Sequence, residues 1–136
     1  MDRRDYELIA FDMDGTLLTS EKTLSPVTLA AIAEATGRGD RAAVASGRSL
    51  TQMYDYLPQL LEVGIRYSIT GNGALVYDSQ LSRVLYKAVL TSREVATVVE
   101  AFRPEGDLVM VETFSDGAFT VDERQIPRMG SYGMGV

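Results

Sequence analysis

Leu8-Ile9-Ala10-Phe11-Asp12-Met13-Asp14-Gly15-Thr16-Leu17-Leu18 is the stretch around which the chain is organised. Leu8 to Phe11 is an unbroken apolar run, short enough for a strand buried on both faces, as in a parallel sheet. The run stops at two carboxylates one residue apart, and Gly15 then permits a sharp turn. Ligands of open α/β sheets sit beyond the carboxyl ends of the strands, so these acids lie where chemistry is usually placed. One carboxylate can serve as a nucleophile that forms an acyl-phosphate, and a second as general acid and base. Two nearby acids also attract a hard cation such as Mg²⁺. Asp-x-Asp-Gly by itself is a common turn and also resembles the start of a calcium loop. Thr, Leu, Leu, Thr and Ser follow Gly15, however, with no bidentate Glu where an EF-hand needs one.

Composition narrows the chemistry further. A chain of 136 residues suits one ordinary domain, and 46% hydrophobic with 24% charged residues reads as globular rather than disordered. The formal charge of −6, with no Lys/Arg-rich block, argues against nucleic-acid or anionic-membrane partners. No apolar run approaches the roughly 20 residues of a membrane span. The chain has no cysteine, so disulfides and thiol chemistry are excluded and a cytoplasmic setting fits. It has no histidine either, which removes Ser-His triads, Cys-His pairs and histidine zinc sites. Acid and base work must fall to Asp, Glu, Lys or Tyr.

Outward from the first stretch, Thr19 to Thr23 is polar and reads as a loop. Ser25-Pro26 predicts a helix start, with Ser25 as N-cap, Leu29, Ile32 and Ala33 as its apolar stripe and Gly37 as C-cap. The helix is a crossover to a second parallel strand, Ala42-Ala43-Val44-Ala45, which ends in Ser46-Gly47-Arg48. A small hydroxyl and a glycine at a strand end can present Oγ and backbone N–H groups to a phosphate, and Arg48 adds a planar fork. Alone, Ser-Gly-Arg reads more readily as a solvated loop than as a phosphate site. Leu50, Met53, Tyr54 and Leu57 predict a helical stripe, interrupted at Pro58 and resumed through Leu60 and Leu61 to a stop at Gly64. Arg66 to Thr70 reads as a third strand leading into the turn Gly71-Asn72-Gly73, and Ala74–Tyr77 with Val84–Lys87 as a hairpin around 78–82. Thr91 to Glu94 is a capping box opening a helix with Val95, Val98, Val99 and Phe102 on an apolar surface. A second hairpin is expected from Leu108–Phe114 and Ala118–Val121 around Ser115-Asp116-Gly117, followed by a Gly- and Met-rich tail.

Phe11-Asp12-x-Asp14-Gly15-Thr16-Leu17-Leu18 closely resembles the first motif of the haloacid dehalogenase-type (HAD) phosphohydrolases, and Ser46-Gly47-Arg48 matches their second. Asn72-Gly73-Ala74 after the third strand is similar to the exit from the core in the Cof-type branch, which comprises sugar-phosphate and related phosphatases. The resemblance implies an α/β fold: part of a Rossmann-like parallel core over residues 1–87, then the first part of an α+β cap over 88–136. It implies that Asp12 is the nucleophile and Asp14 the acid/base. Ser46 would hold the transferring phosphoryl group, backbone N–H groups near Met13 and Gly47 would cradle it, and Arg48 would reach toward substrate. Asn72 would be structural or substrate-proximal. Mg²⁺ would bind the Asp12 carboxylate and the Asp14 backbone carbonyl. The implied substrate is a small phosphorylated metabolite.

The family pattern continues with a lysine that steadies the phosphoryl group and an acidic loop that completes the metal site. Nothing after Ser46 supplies either, so the chain reads as an N-terminal segment, expected to be inactive alone. The strand carrying Asp12 would then be an open edge able to pair with another copy. A phosphomutase, a non-catalytic phosphate- or metal-binding fragment and, more distantly, a response-regulator receiver are the alternatives.

Overall fold

A computed structural model describes residues 8–102 and the backbone of 111–112 and 119–120. The chain divides into two compact units, Met1–Ala88 and Val89–Val136. In the first, the order is β1 (Ile9–Phe11), α1 (Pro26–Gly37), β2 (Ala42–Ala45), α2 (Leu50–Met53), α3 (Leu57–Glu62), β3 (Tyr67–Thr70), β4 (Leu75–Asp78) and β5 (Arg83–Lys87). The strands form one sheet in the order β1-β2-β3-β4-β5. β1, β2 and β3 are parallel, and β4 and β5 add as antiparallel neighbours. This is the α/β architecture expected from the alternation of strand and helix signals.

β1 is not buried on both faces, contrary to the reading of its apolar run: Leu8, Ile9 and Ala10 are exposed and Phe11 is half-buried. The reason is topological. A parallel strand is covered on both faces when it is central, whereas β1 stands at the sheet edge with β2 as its neighbour. β2, inside the sheet, has Ala42, Ala43 and Val44 buried.

Ser25 caps α1 as expected, its Oγ accepting from Thr28 N at 3.1 Å with Pro26 in the first turn. Gly37 does not end the helix; it is the last helical residue and Arg38 is the cap. The left-handed residue is Gly39 (φ 96°). Gly39 N donates to Thr36 O at 2.9 Å and Asp40 N to Ala35 O at 3.2 Å, the two bonds of a Schellman motif. Thr36 Oγ1 also donates to Val63 O at 2.8 Å, tying the end of α1 to the end of α3. Of the second predicted stripe, Leu50, Met53 and Leu57 are buried, but Tyr54 is 52% exposed. α2 stops at Met53 and α3 restarts at Leu57, so helical periodicity does not carry across Tyr54.

The β4–β5 hairpin is organised by Asp78, which is buried. Arg66 grips it with Nε to Oδ1 at 2.9 Å and Nη2 to Oδ2 at 2.6 Å. Oδ1 also accepts from the backbone N–H of Gln80 (3.0 Å) and Leu81 (3.1 Å), which sets the turn. In the second unit, Thr91 and Glu94 form the expected capping box of α4 (Ser92–Phe102), with Thr91 N donating to Glu94 Oε2 at 2.7 Å and Glu94 N to Thr91 Oγ1 at 3.3 Å. Val95 and Val99 are half-buried and Val98 and Phe102 exposed, so the described residues do not bury this face. β6 (Val111–Glu112) pairs antiparallel with β7 (Phe119–Thr120). The turn expected at 115–117 and the tail lie outside the described residues.

The Asp78 network predicts a pH dependence. Arg66, followed by the Leu81 and Gln80 amides, holds the Asp78 carboxyl below its ordinary range. A depressed native pKa contributes stability that is complete above the unfolded aspartate value, about pH 4, and is lost as pH falls through the lower native value. Asp78→Asn is therefore expected to melt below the wild type at neutral pH, with the gap narrowing as the pH falls from about 4 toward 2. Thermal unfolding by circular dichroism at both ends of that range checks this. A gap that stays constant with pH would contradict the ionic role.

Candidate active site

Parallel register lines up three strand ends: β1 stops at Phe11, β2 at Ala45 and β3 at Thr70. Each is followed at once by a loop carrying residues singled out in the sequence. After β1 the chain makes a wide turn, with Leu17 N donating to Asp12 O (3.3 Å) and Leu18 N to Met13 O (2.9 Å). Asp14 is extended within this turn and Gly15 takes φ 75°, a conformation costly for any other residue. The turn leaves Asp12 and Asp14 exposed while Met13 between them is fully buried. The Met13 side chain is thus core, and only its backbone can serve a ligand.

The loop after β2 is stapled on both sides. Ser46 is buried, its N–H donating to Ile69 O at 2.9 Å in a continuation of the β2–β3 ladder. Ser46 Oγ accepts from Arg48 N at 3.1 Å, which leaves the hydroxyl hydrogen free to donate. Gly71 N donates to Arg48 O at 2.7 Å and Asn72 N to Ser46 O at 3.3 Å, so the loop after β3 supports this one. Asn72 has φ 56°, and a Cβ placed on Gly47 would lie 2.9 Å from Asn72 Oδ1. On the far side a capping box closes the loop: Ser49 Oγ accepts from Gln52 N at 3.3 Å while Ser49 N donates to Gln52 Oε1 at 3.0 Å.

Arg48 reaches across to the first loop. Its Nε donates to Asp14 Oδ2 at 2.7 Å and its Nη2 to Oδ1 at 2.9 Å, a bidentate pair. Lys22 Nζ donates to the same Oδ1 at 2.7 Å. The Arg48 hydrogen bond, then that of Lys22, holds the Asp14 carboxyl far below the usual carboxylate range. Tyr56 completes the group: the Arg48 guanidinium carbon lies 5.6 Å from its ring centroid, and its hydroxyl donates to Lys22 O at 2.9 Å. The structure therefore joins Asp14 directly to Arg48, Ser46 and Gly47 to Asn72, and Arg48 to Gly71, while Asp12 stands on the same turn as Asp14. Lys22 and Tyr56 were not singled out in the sequence. Leu18 and Leu24 pair across the polar 19–23 loop and fold it back, which the sequence did not signal.

Among the described residues no group of three or more Asp, Glu, His or Cys could hold a metal ion. Both Asp14 carboxylate oxygens are taken by cations, so a metal held as the family resemblance implies would use the Asp12 carboxylate and the Asp14 backbone carbonyl instead. Hard oxygen donors in that small number suit Mg²⁺, which keeps several waters and binds through one or two carboxylates plus substrate phosphate.

Fold and site together define an α/β protein in which Asp12 and Asp14 after β1 and Ser46-Gly47-Arg48 after β2 sit at the carboxyl rim of a parallel sheet, joined by the clasp of Arg48 on Asp14. Residues 9–131 match the family model of haloacid dehalogenase-like hydrolases, and the chain belongs to that family, of the Cof type that its motifs resemble. An HMP-PP phosphatase of Serratia proteamaculans (strain 568) is 42% identical over 76 residues, covering 55% of this chain and 27% of its own. An HMP-PP phosphatase of Yersinia pestis (strain Pestoides F) is 31% identical, covering 93% of this chain and 52% of its own. The crystal structure of a haloacid dehalogenase-like hydrolase from Bacteroides thetaiotaomicron superposes with a TM-score of 0.73 at 25% identity, covering 93% of this chain and 48% of that one. The chain thus spans about half the length, or less, of these relatives.

The contact between Gly47 and Asn72 is testable by a double-mutant cycle. Gly47→Ala is expected to cost about 1–2 kcal/mol, because a short, backbone-held side chain must give way. In an Asn72→Gly background, which keeps φ 56° accessible, the same change should cost less than half as much. Additive costs in urea unfolding would show that the two residues do not press on each other.

Proposed function

We propose that the protein is a cytoplasmic, Mg²⁺-dependent phosphomonoesterase that works through an aspartyl-phosphate on Asp12. The observation that carries the reading is the bidentate clasp of Arg48 on Asp14, which draws the two motif loops into one site. The named activities of the relatives support it: phosphatases of HMP-PP and, at 37% identity over 87 residues, a 5-amino-6-(5-phospho-D-ribitylamino)uracil phosphatase of Bacillus subtilis (strain 168). We assign residues 1–87 to part of the core and 88–136 to the beginning of a cap. The substrate class we favour is a small sugar phosphate or related metabolite.

In this reading the Ser46 hydroxyl and the backbone N–H groups of Met13 and Gly47 bind the phosphoryl oxygens, and Arg48 holds the phosphate from the side. An Asp12 oxygen attacks phosphorus as the bond to the leaving oxygen breaks, and that oxygen takes a proton from Asp14. Water then attacks the acyl-phosphate, Asp14 takes the water's proton, and inorganic phosphate leaves with Asp12 regenerated. Mg²⁺ on Asp12 and the Asp14 carbonyl would offset charge between carboxylate and phosphate. Clasped by two cations, Asp14 is held ionised and cannot donate a proton. Once the phosphate draws those cations away, the affinity of Asp14 for a proton rises, and it takes one from solvent to give to the leaving oxygen.

Asp12→Asn is expected to lower kcat/KM by several orders of magnitude, the scale for a catalytic nucleophile. A phosphate-release assay reads this directly, and activity within about tenfold of wild type would exclude Asp12 as nucleophile.

General acid catalysis contributes roughly 10²–10⁴-fold. Asp14→Asn should accordingly lose much more on a sugar phosphate, whose alkoxide needs a proton, than on nitrophenyl phosphate, whose leaving group does not. Equal losses on the two substrates would assign Asp14 a structural or metal-site role instead.

A further inference from the structure

Lys22 stands out by its backbone before its charge is considered. Its φ of 59° is left-handed, a conformation that a lysine keeps only where its surroundings impose it. Here they do: Lys22 N donates to Thr19 O at 3.0 Å, Thr19 N to Thr23 O at 2.9 Å, and Leu18 pairs with Leu24. Tyr56 adds the fourth hold, its hydroxyl donating to Lys22 O at 2.9 Å from the segment between α2 and α3. Asn or Gly would occupy this position with less strain. The lysine instead places an ammonium 2.7 Å from Asp14 Oδ1, on the carboxylate that Arg48 also grips.

The two cations differ in setting. The Arg48 side chain is 21% exposed and lies against the Tyr56 ring, whereas that of Lys22 is 57% exposed. Of the three N–H donors of an ammonium, one meets Asp14, which leaves two for a ligand arriving from solvent. Two cations from different loops, tied to one tyrosine and converging on one carboxylate, form a site for an anion larger than that carboxylate.

We propose that Lys22 is a phosphate-binding residue acting with Arg48, and that Tyr56 is the positioning residue for both. The Asp14 carboxylate occupies the two cations until the dianionic phosphate of a monoester takes its place. The inference rests on the phosphatase reading and adds to it a third loop that touches substrate.

The test is a titration of the full chain with inorganic phosphate, replacing chloride at constant ionic strength and followed by the amide signals of Ser46, Gly47 and Arg48. Lys22→Asn, which removes the charge but suits the left-handed backbone, is expected to weaken phosphate binding about three- to tenfold. Its thermal midpoint should match or exceed that of wild type. Lys22→Arg should recover most of the affinity. Tyr56→Phe, which loses only the hydroxyl, should weaken binding about twofold or more. Wild-type affinity in Lys22→Asn, with Ser46→Ala weakened, would overturn the role of Lys22 and leave the phosphatase reading standing. No phosphate-dependent shift at Ser46–Arg48 in the unaltered chain would overturn the phosphate site and, with it, this inference.

Discussion

The in-register parallel pairing of β1, β2 and β3 is the constraint on which the site depends. Ile9, Ala10 and Phe11 stand beside Ala42, Ala43 and Val44, and Ala43 to Ala45 beside Tyr67 to Ile69. Because the three strands run the same way, the loops that leave them open on one rim. The acids after Phe11, the Ser46 loop and the Gly71–Gly73 turn are remote in sequence but brought to one rim by this pairing. The ladder even extends past the strands, in the bond from Ser46 N to Ile69 O at 2.9 Å. A one-residue slip of β2 would send Ser46 to the opposite face of the sheet and dismantle the rim.

Charge then does locally what pairing does globally. Asp14 sits between a guanidinium and an ammonium, in a chain whose formal charge is −6. A net acidic surface repels phosphorylated ligands at long range, so any affinity for them must be concentrated where cations cluster. The Arg48–Lys22 pair is such a cluster, and the carboxylate between them keeps it organised. Tyr56 is placed to restrain both cations at once, through its ring for Arg48 and its hydroxyl for the Lys22 loop.

Much of this was legible in the sequence, for reasons that can be named. Strand and helix positions followed from local patterns that each state one thing: Ser25-Pro26 starts a helix, Thr91 and Glu94 cap one, and Asp78–Ser82 turns a hairpin. Gly37 was misplaced as a cap because a second glycine, Gly39, stands two residues further on and takes the left-handed position. The left-handed φ of Gly39 and the two bonds from Gly39 N and Asp40 N back to the last turn show how far the helix runs. The apolar run of β1 suggested burial on both faces because composition reports what a strand can bury, whereas the open edge expected for the strand carrying Asp12 is where β1 stands. Lys22 and Tyr56 were invisible for a different reason. Their roles arise from a backbone twist and a contact 34 residues apart in the chain, and neither leaves a periodicity or a motif. Asp78 was likewise read as an ordinary turn residue, although its burial beside Arg66 makes it the organising group of the hairpin.

The two acids of the first motif are held by different means, and the difference matches the work proposed for each. Asp12 is placed by backbone: the β1–β2 ladder runs up to Phe11, and the wide turn closes with Leu17 N on its own carbonyl at 3.3 Å. Its exposed carboxylate is left for a ligand, as an in-line nucleophile requires, since attack depends on a fixed Cα and an unencumbered oxygen. Asp14 is placed by side chains, through three hydrogen bonds from two residues that each have other donors. Bonds of that kind can be exchanged for an incoming anion without moving the main chain. In the proposed mechanism, a nucleophile fixed by the ladder and an acid held by exchangeable cations would let ligand binding change the second group while leaving the first in place.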